Sequence, residues 1–165
     1  MVEAMQSLEE TLEQQIGRIA GVIGSERFPT GERAALRRMT PGYSLPLCFY
    51  RFAFSYLPEG WEYAIDDWTT LIAGIALMSP NAYTPQVGFG RALAEAGYSE
   101  TRLERLLAAE GEVRRILFLR TIRFLTAKSK PFNWAEGARF LLTRSEGKRE
   151  TLNLRIAREF YSSAG

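Results

Sequence analysis

Residues 62–78 read EYAIDDWTTLIAGIALM, and Ser79-Pro80 follow them. Glu62, Asp66 and Asp67 supply an acidic first turn, which suits the positive end of a helix dipole, and Ser79-Pro80 closes the segment. Its centre is apolar nearly all round the helical wheel, so the spacing predicts a helix that is buried. Strand signals are scarce elsewhere. Alternating β-branched runs and Asn-Gly or Asp-Gly hairpins are both missing. Seven prolines, at positions 29, 41, 46, 58, 80, 85 and 131, divide the chain into helix-length pieces.

Upstream, Leu8, Leu12, Ile16, Ile19 and Ile23 predict a first helix over 5–23. A short second helix is expected over 30–39, with Thr30 as N-cap and Glu32 in its first turn. Residues 45–56 hold Phe49, Tyr50, Phe52, Phe54 and Tyr56 and are expected to be helical and largely buried. Beyond a loop at 79–90 come helices over 89–96, 99–109 with Ser99 as N-cap, 113–127, 133–142 and 148–161. No internal repeat or low-complexity segment is visible. The expected fold is an all-α helical bundle of two small helical subdomains, an N-terminal half over 1–82 and a basic C-terminal half over 83–165.

The chain has 165 residues, 46 % hydrophobic and 24 % charged, the balance of an ordinary soluble globular protein with a sizeable core. Histidine is absent and Cys48 is the only cysteine. Nucleophilic catalysis of the Ser-His-Asp or Cys-His type has no imidazole to use. Structural zinc has no four Cys or His ligands, and no internal disulfide can form. Cys48, between Leu47 and Phe49, reads as a small buried hydrophobe. Glu62 and Asp66 stand one helical turn apart, a spacing that more often marks surface charge than a metal site. No enzyme activity, metal or cofactor is expected. The first sixteen residues carry four glutamates and no basic group, and the longest apolar run, 71–78, is far short of the ~20 residues that cross a bilayer. A soluble, cytoplasmic protein with no membrane partner is expected.

The net charge of +2 conceals an asymmetry: 1–82 carries −4, with six arginines against ten carboxylates, and 83–165 carries +6, with fifteen basic groups against nine carboxylates. Over 113–149, ten basic residues stand against Glu136 and Glu146. Arginine outnumbers lysine by eighteen to three, which favours bidentate recognition of phosphate or carboxylate. A polyanionic partner follows, against the alternative of a merely solvated face.

The arginines are therefore the candidate contacts. Arg33 and Arg37 share one face of the second helix, Arg38 flanks them, and no carboxylate lies between Arg33 and Arg51. Arg102 and Arg105 lie opposite Leu103, Leu106 and Leu107, with Glu104 placed to neutralise Arg105 in part. Arg120 and Arg123 interrupt an otherwise apolar helix, so they should face a partner, a groove or an internal carboxylate. In the last helix Lys148 and Arg155 align at i,i+7, and Arg155 could instead pair with Glu159. Gly88-Phe89-Gly90-Arg91 lacks the third glycine and the preceding strand of a dinucleotide loop. It reads instead as a helix start whose free N–H groups and Arg91 could meet a phosphate. The aromatics concentrate in arginine-poor helices, which favours backbone contact over base reading and hence sequence-independent binding.

Taken in order, Gly88-Phe89-Gly90-Arg91-Ala92-Leu93-Ala94, then Ser99-Glu100-Thr101-Arg102-Leu103, then Phe132-Asn133-Trp134 after a basic helix, resemble the CasB family, the small subunit of the type I-E CRISPR surveillance complex, Cascade. Leu36-Arg37-Arg38 before Phe49-Tyr50-Arg51, and the closing Ala157-Arg158-Glu159-Phe160-Tyr161, fit the same pattern, which covers about 30–161. The resemblance implies an all-α, non-catalytic subunit present as two copies. Its implied partners are the second copy, the backbone and large subunits of the complex, the guide RNA and the target DNA of the R-loop. By position it carries Arg37, Arg38, Arg91, Arg102, Arg120, Lys148 and Arg149 onto the family's basic sites. The chain departs from the pattern at 78–86, where some members have a longer basic loop, and at Glu110 and Gly111, where others are basic. Outside the resemblance, a helix-turn-helix regulator would need polar base-reading residues that the 99–109 helix mostly lacks, beyond Thr101 and Glu104. A protein scaffold whose arginines meet acidic partners is the other alternative.

Overall fold

The computed structural model describes residues 10–164, so the part of the expected first helix at 5–9, with Leu8, lies outside the described residues. Helix α1 (Leu12–Gly24) starts where it does because Thr11 caps it. The Thr11 hydroxyl accepts the Gln14 N–H at 3.1 Å, and the Gln14 carboxamide accepts the Thr11 N–H at 3.0 Å. Helix α2 (Thr30–Arg37) follows Pro29, so Thr30 is its first helical residue and not the cap expected of it. Helix α3 (Leu47–Tyr56) follows Pro46 in the same way. Both prolines hold φ near −65°, which directs the chain into a helix without a side-chain cap.

The segment expected as one helix at 62–78 is divided. A 3₁₀ turn (Trp61–Ala64) enters from Gly60 at φ 88°, a left-handed conformation that suits glycine, and Ala64 breaks the path before α4 (Ile65–Met78). Then follow α5 (Phe89–Glu95), α6 (Glu100–Ala108), α7 (Gly111–Ala127), α8 (Trp134–Leu142) and α9 (Glu146–Ala164). Ser99 and Asn133 cap α6 and α8 through their side chains. The architecture is all-α, as the sequence pattern predicts. A single bridge between Tyr83 and Phe132 is the only strand-like pairing among the described residues.

Helix α4 is the centre. Every residue from Asp67 to Ala76 is buried, and α1, α2, α7 and α8 pack around it. Gly74 lets α8 come close, since a Cβ there would lie 2.6 Å from Cη2 of Trp134. Trp134 joins Phe89, Phe118, Phe132 and Phe140 in an aromatic cluster, with Phe118 edge-on to Trp134 at 5.8 Å and stacked on Phe140 at 5.7 Å. Helix α5 lies along α9, and here Gly90 is required, because a Cβ would meet the Ile156 carbonyl oxygen at 2.1 Å. One buried cluster runs from Ile16 in α1 to Phe160 in α9.

Three charged groups are sealed inside. Asp67 is 4 % exposed and receives Arg115 at 3.3 Å and Arg144 at 2.9 Å. Arg114 is 3 % exposed, and its guanidinium carbon lies over the Phe140 ring, 3.5 Å from the centroid. Glu136 is 2 % exposed, accepts the Phe89 N–H at 2.6 Å and pairs with Arg155 at 3.4 Å, so one carboxylate ties α8 to the start of α5 and to α9.

Two predictions follow from this packing. Gly74→Ala forces Trp134 to move and is expected to cost about 1–3 kcal/mol in urea unfolding. Gly21→Ala on the exposed face of α1, with no described atom within 4 Å, is expected to stabilise by about 0.5–1 kcal/mol. A third concerns pH. Burial raises the Glu136 pKa above its ordinary 4.5, the Phe89 N–H opposes this, Glu159 adds to it and Arg155 opposes it. The folded protein therefore holds this proton more tightly than the unfolded chain. Its stabilising effect is full below the ordinary carboxylate value and is lost as pH rises through the raised one. Comparing unfolding midpoints from about pH 4 to about pH 7 should show a flatter profile for Glu136→Gln than for the wild type.

Candidate nucleic-acid interface

Short helices leave many carbonyls without intrahelical partners. Several helices here end in an extended C-cap and lack the left-handed glycine that would close the last turn: α1 at Ser25, α4 at Ser79, α6 at Ala109 and α8 at Thr143. At these four ends an arginine from outside the helix takes freed carbonyls, whereas α3, also extended at its C-cap Leu57, has no such arginine among the described residues. Arg33 donates to Ile23 and Ser25, both at 2.8 Å, and Arg37 donates to Ala76 at 2.7 Å. Arg114 donates to Ala109 at 3.1 Å and to Phe140 at 2.8 and 3.1 Å, and Arg149 donates to Thr143 at 2.7 Å. A guanidinium suits this place because it brings several donors and a charge opposite to the helix's negative end. Burial lowers the Arg114 pKa to about 10, with Arg149 pushing the same way, so it stays charged at neutral pH.

Two more of the expected contacts have carboxylate partners. Arg91 pairs with Glu95 at 3.2 Å, and Arg155 pairs with Glu159 at 3.5 Å as well as with Glu136. The start of α5, read from Gly88-Phe89-Gly90 as a phosphate-facing helix end, is already turned to Glu136 through the Phe89 N–H. That leaves Arg38, Arg102, Arg120, Arg123 and Lys148, all exposed, with no ion pair among the described residues. Arg38 sits at the end of α2 and Lys148 in the first turn of α9, on elements separate from the others.

Arg102 and Arg120 are brought together. They line a groove of about 330 Å³ between α6 and α7, together with Arg105, Tyr98, Leu117 and Phe124. Phe124 is half-buried, and Arg102 and Lys128 each stand 5.8 Å from its ring centroid. Tyr98 meets the ring edge-on at 5.3 Å and is held by a 2.8 Å hydrogen bond to Thr121. The charges of α6 are sorted by face. Arg102 and Arg105 turn to the groove, while the charges of Glu100 and, more weakly, Glu104 raise the phenol pKa of exposed Tyr161 on α9. Glu104 makes no ion pair with Arg105 among the described residues.

Sequence reasoning set Arg105 aside and missed Lys128 and Phe124. The i,i+3 spacing of Arg102 and Arg105 was the available signal for the first, and nothing in the α7 pattern separates Phe124 from its core neighbours. Arg120 faces a groove, one of the outcomes expected of it and Arg123, while Arg114 and Arg115 are the arginines of α7 that turn inward. Asp66 faces Arg115 at 3.8 Å, Glu62 lies in the separate 3₁₀ turn, and no group of three or more Cys, Asp or Glu able to hold a metal occurs among the described residues. Cys48 is half-buried against the core. No described helix is long and apolar enough to cross a membrane.

The sorting predicts a split among arginine variants. Arg114→Ala strands buried carbonyls and should cost about 2–4 kcal/mol in chemical denaturation. Arg120→Ala should stay within about 0.5 kcal/mol of the wild type.

The model of one protein family, described as CRISPR-associated protein Cse2, matches residues 32–161, most of the chain. No curated protein matches it.

Proposed function

The chain belongs to the Cse2 (CasB) family of CRISPR-associated proteins and is a subunit of the Cascade type, and from that premise we propose that it binds nucleic-acid backbone within the complex, without regard to sequence, and stabilises guide RNA and target DNA strands in the R-loop. The observation that carries this reading is the α6–α7 groove, where Arg102, Arg105 and Arg120 converge with no carboxylate partner among the described residues. Uncompensated guanidiniums can hold phosphates without reading bases, which suits a role in which base pairing with the guide reads the sequence. Arg38, Arg123 and Lys148 are further contacts on this reading, whereas Arg33, Arg37 and Arg149 act mainly by closing helix ends and Arg91 and Arg155 by ion pairing. The other Cascade subunits, both backbone and large, and a second copy of the chain are its proposed protein partners. No reaction is assigned to it, and a cytoplasmic location fits this role.

The test is binding of unrelated single-stranded and duplex DNAs across a salt series, for the protein alone and assembled with its guide-bound complex. Affinity should be blind to sequence and fall about tenfold or more from 50 to 200 mM salt. Replacing Arg102, Arg105 and Arg120 by alanine should flatten the log–log salt slope by about 2, at roughly 0.7 per lost phosphate contact on a single strand. Salt-insensitive or absent binding in both settings would favour a protein scaffold. A change of sequence preference in the variant would contradict backbone contact.

A further inference from the structure

The α6–α7 groove is not built as a bare phosphate site. A phosphate needs donors, and Arg102, Arg105 and Arg120 provide them, yet the wall between them is Tyr98, Leu117 and Phe124. Phe124 sits on α7, the helix that carries Arg120 and Arg123, and is only half-buried although its neighbours Ile122 and Leu125 are fully covered. Its ring has a cation near it from each of two elements, Arg102 of α6 and Lys128 just after α7. Tyr98, pinned by Thr121, fixes the ring from the side. An aromatic ring with positive groups about it is the arrangement that holds a base by stacking and its flanking phosphates by charge. The groove's volume of about 330 Å³ falls at the small end of ligand sites, which suits one nucleotide and not a helix or a peptide strand. Base pairs in a duplex present only their edges, so the occupant must be unpaired.

We propose that this groove seats an unpaired nucleobase against Phe124, with the adjoining phosphates on Arg102, Arg105 and Arg120. The proposal rests on the nucleic-acid reading above and deepens it. The backbone contact expected from the sequence is joined by stacking, which stays indifferent to sequence because every base has a π-face. The groove thereby distinguishes single strands from duplex.

The experiment compares a thymidine 12-mer with an abasic 12-mer of equal charge, bound to the full chain at low salt. The thymidine strand should bind about fivefold or more tightly. That difference should vanish in Phe124→Leu and persist in Phe124→Trp, with circular dichroism checking the fold of both. A second readout needs no variant: a 5-iododeoxyuridine strand, photo-crosslinked to the wild-type protein and digested with trypsin, should label the peptide 124–128. Equal binding of the two strands, a preference untouched by a folded Phe124→Leu, or labelling only elsewhere would overturn stacking while leaving backbone binding intact. No binding of either strand at low salt, by the chain alone and by the chain assembled with its guide-bound complex, would overturn both readings.

Discussion

Over residues 67–76 helix α4 has no face left for water, and the rest of the molecule follows from that. A helix buried over a whole stretch must be surrounded, and α1, α2, α7 and α8 surround it. Neighbours can come close only where side chains are small, as Gly74 is opposite Trp134. The one charge α4 carries inside, Asp67, must be compensated, and the pairing of Arg115 and Arg144 with it pins α7 and the turn after α8 to the start of α4. At the other end of α4 the Ala76 carbonyl is met by Arg37, which fastens α2. A single demand for burial thus recruits three of the chain's arginines before any ligand is considered.

The arginine excess, which from composition suggests a polyanion throughout, has two origins. Four helices that end in extended C-caps take outside donors for their last carbonyls, and Arg33, Arg37, Arg114 and Arg149 supply them. The +8 of residues 113–149 therefore overstates the charge offered to a partner, since Arg114 is buried and Arg115 is half-buried against Asp67. What remains outside is smaller and more concentrated. Part of it gathers where α6 sorts its charges by face, with arginines toward α7 and glutamates toward Tyr161. Membership of the Cse2 family gives that concentration a setting, a Cascade subunit, in which we propose it meets nucleic-acid backbone.

Local chemistry in the sequence was enough for the all-α class, for the buried helix in the 62–78 segment and for the Ser99 and Asn133 helix starts. Apolar periodicity and caps act within a few residues and can be read along the chain. The ordered motifs around Gly88, Ser99 and Phe132 likewise sufficed for the family. Where the sequence reading and the structure part, the cause is a partner distant in sequence. Arg37 finds Ala76, Arg114 finds Phe140, and the Phe89 N–H finds Glu136. No spacing rule separates an arginine that closes a distant helix end from one that waits for a phosphate, because both look like unpaired cations on a helix face. Composition and periodicity determined that this chain is helical, rich in arginine and without histidine. Only the tertiary fold decided which guanidiniums are used inside and that Phe124 shares a groove with those left over, because hydrogen bonding and burial depend on neighbours that the chain meets only when folded.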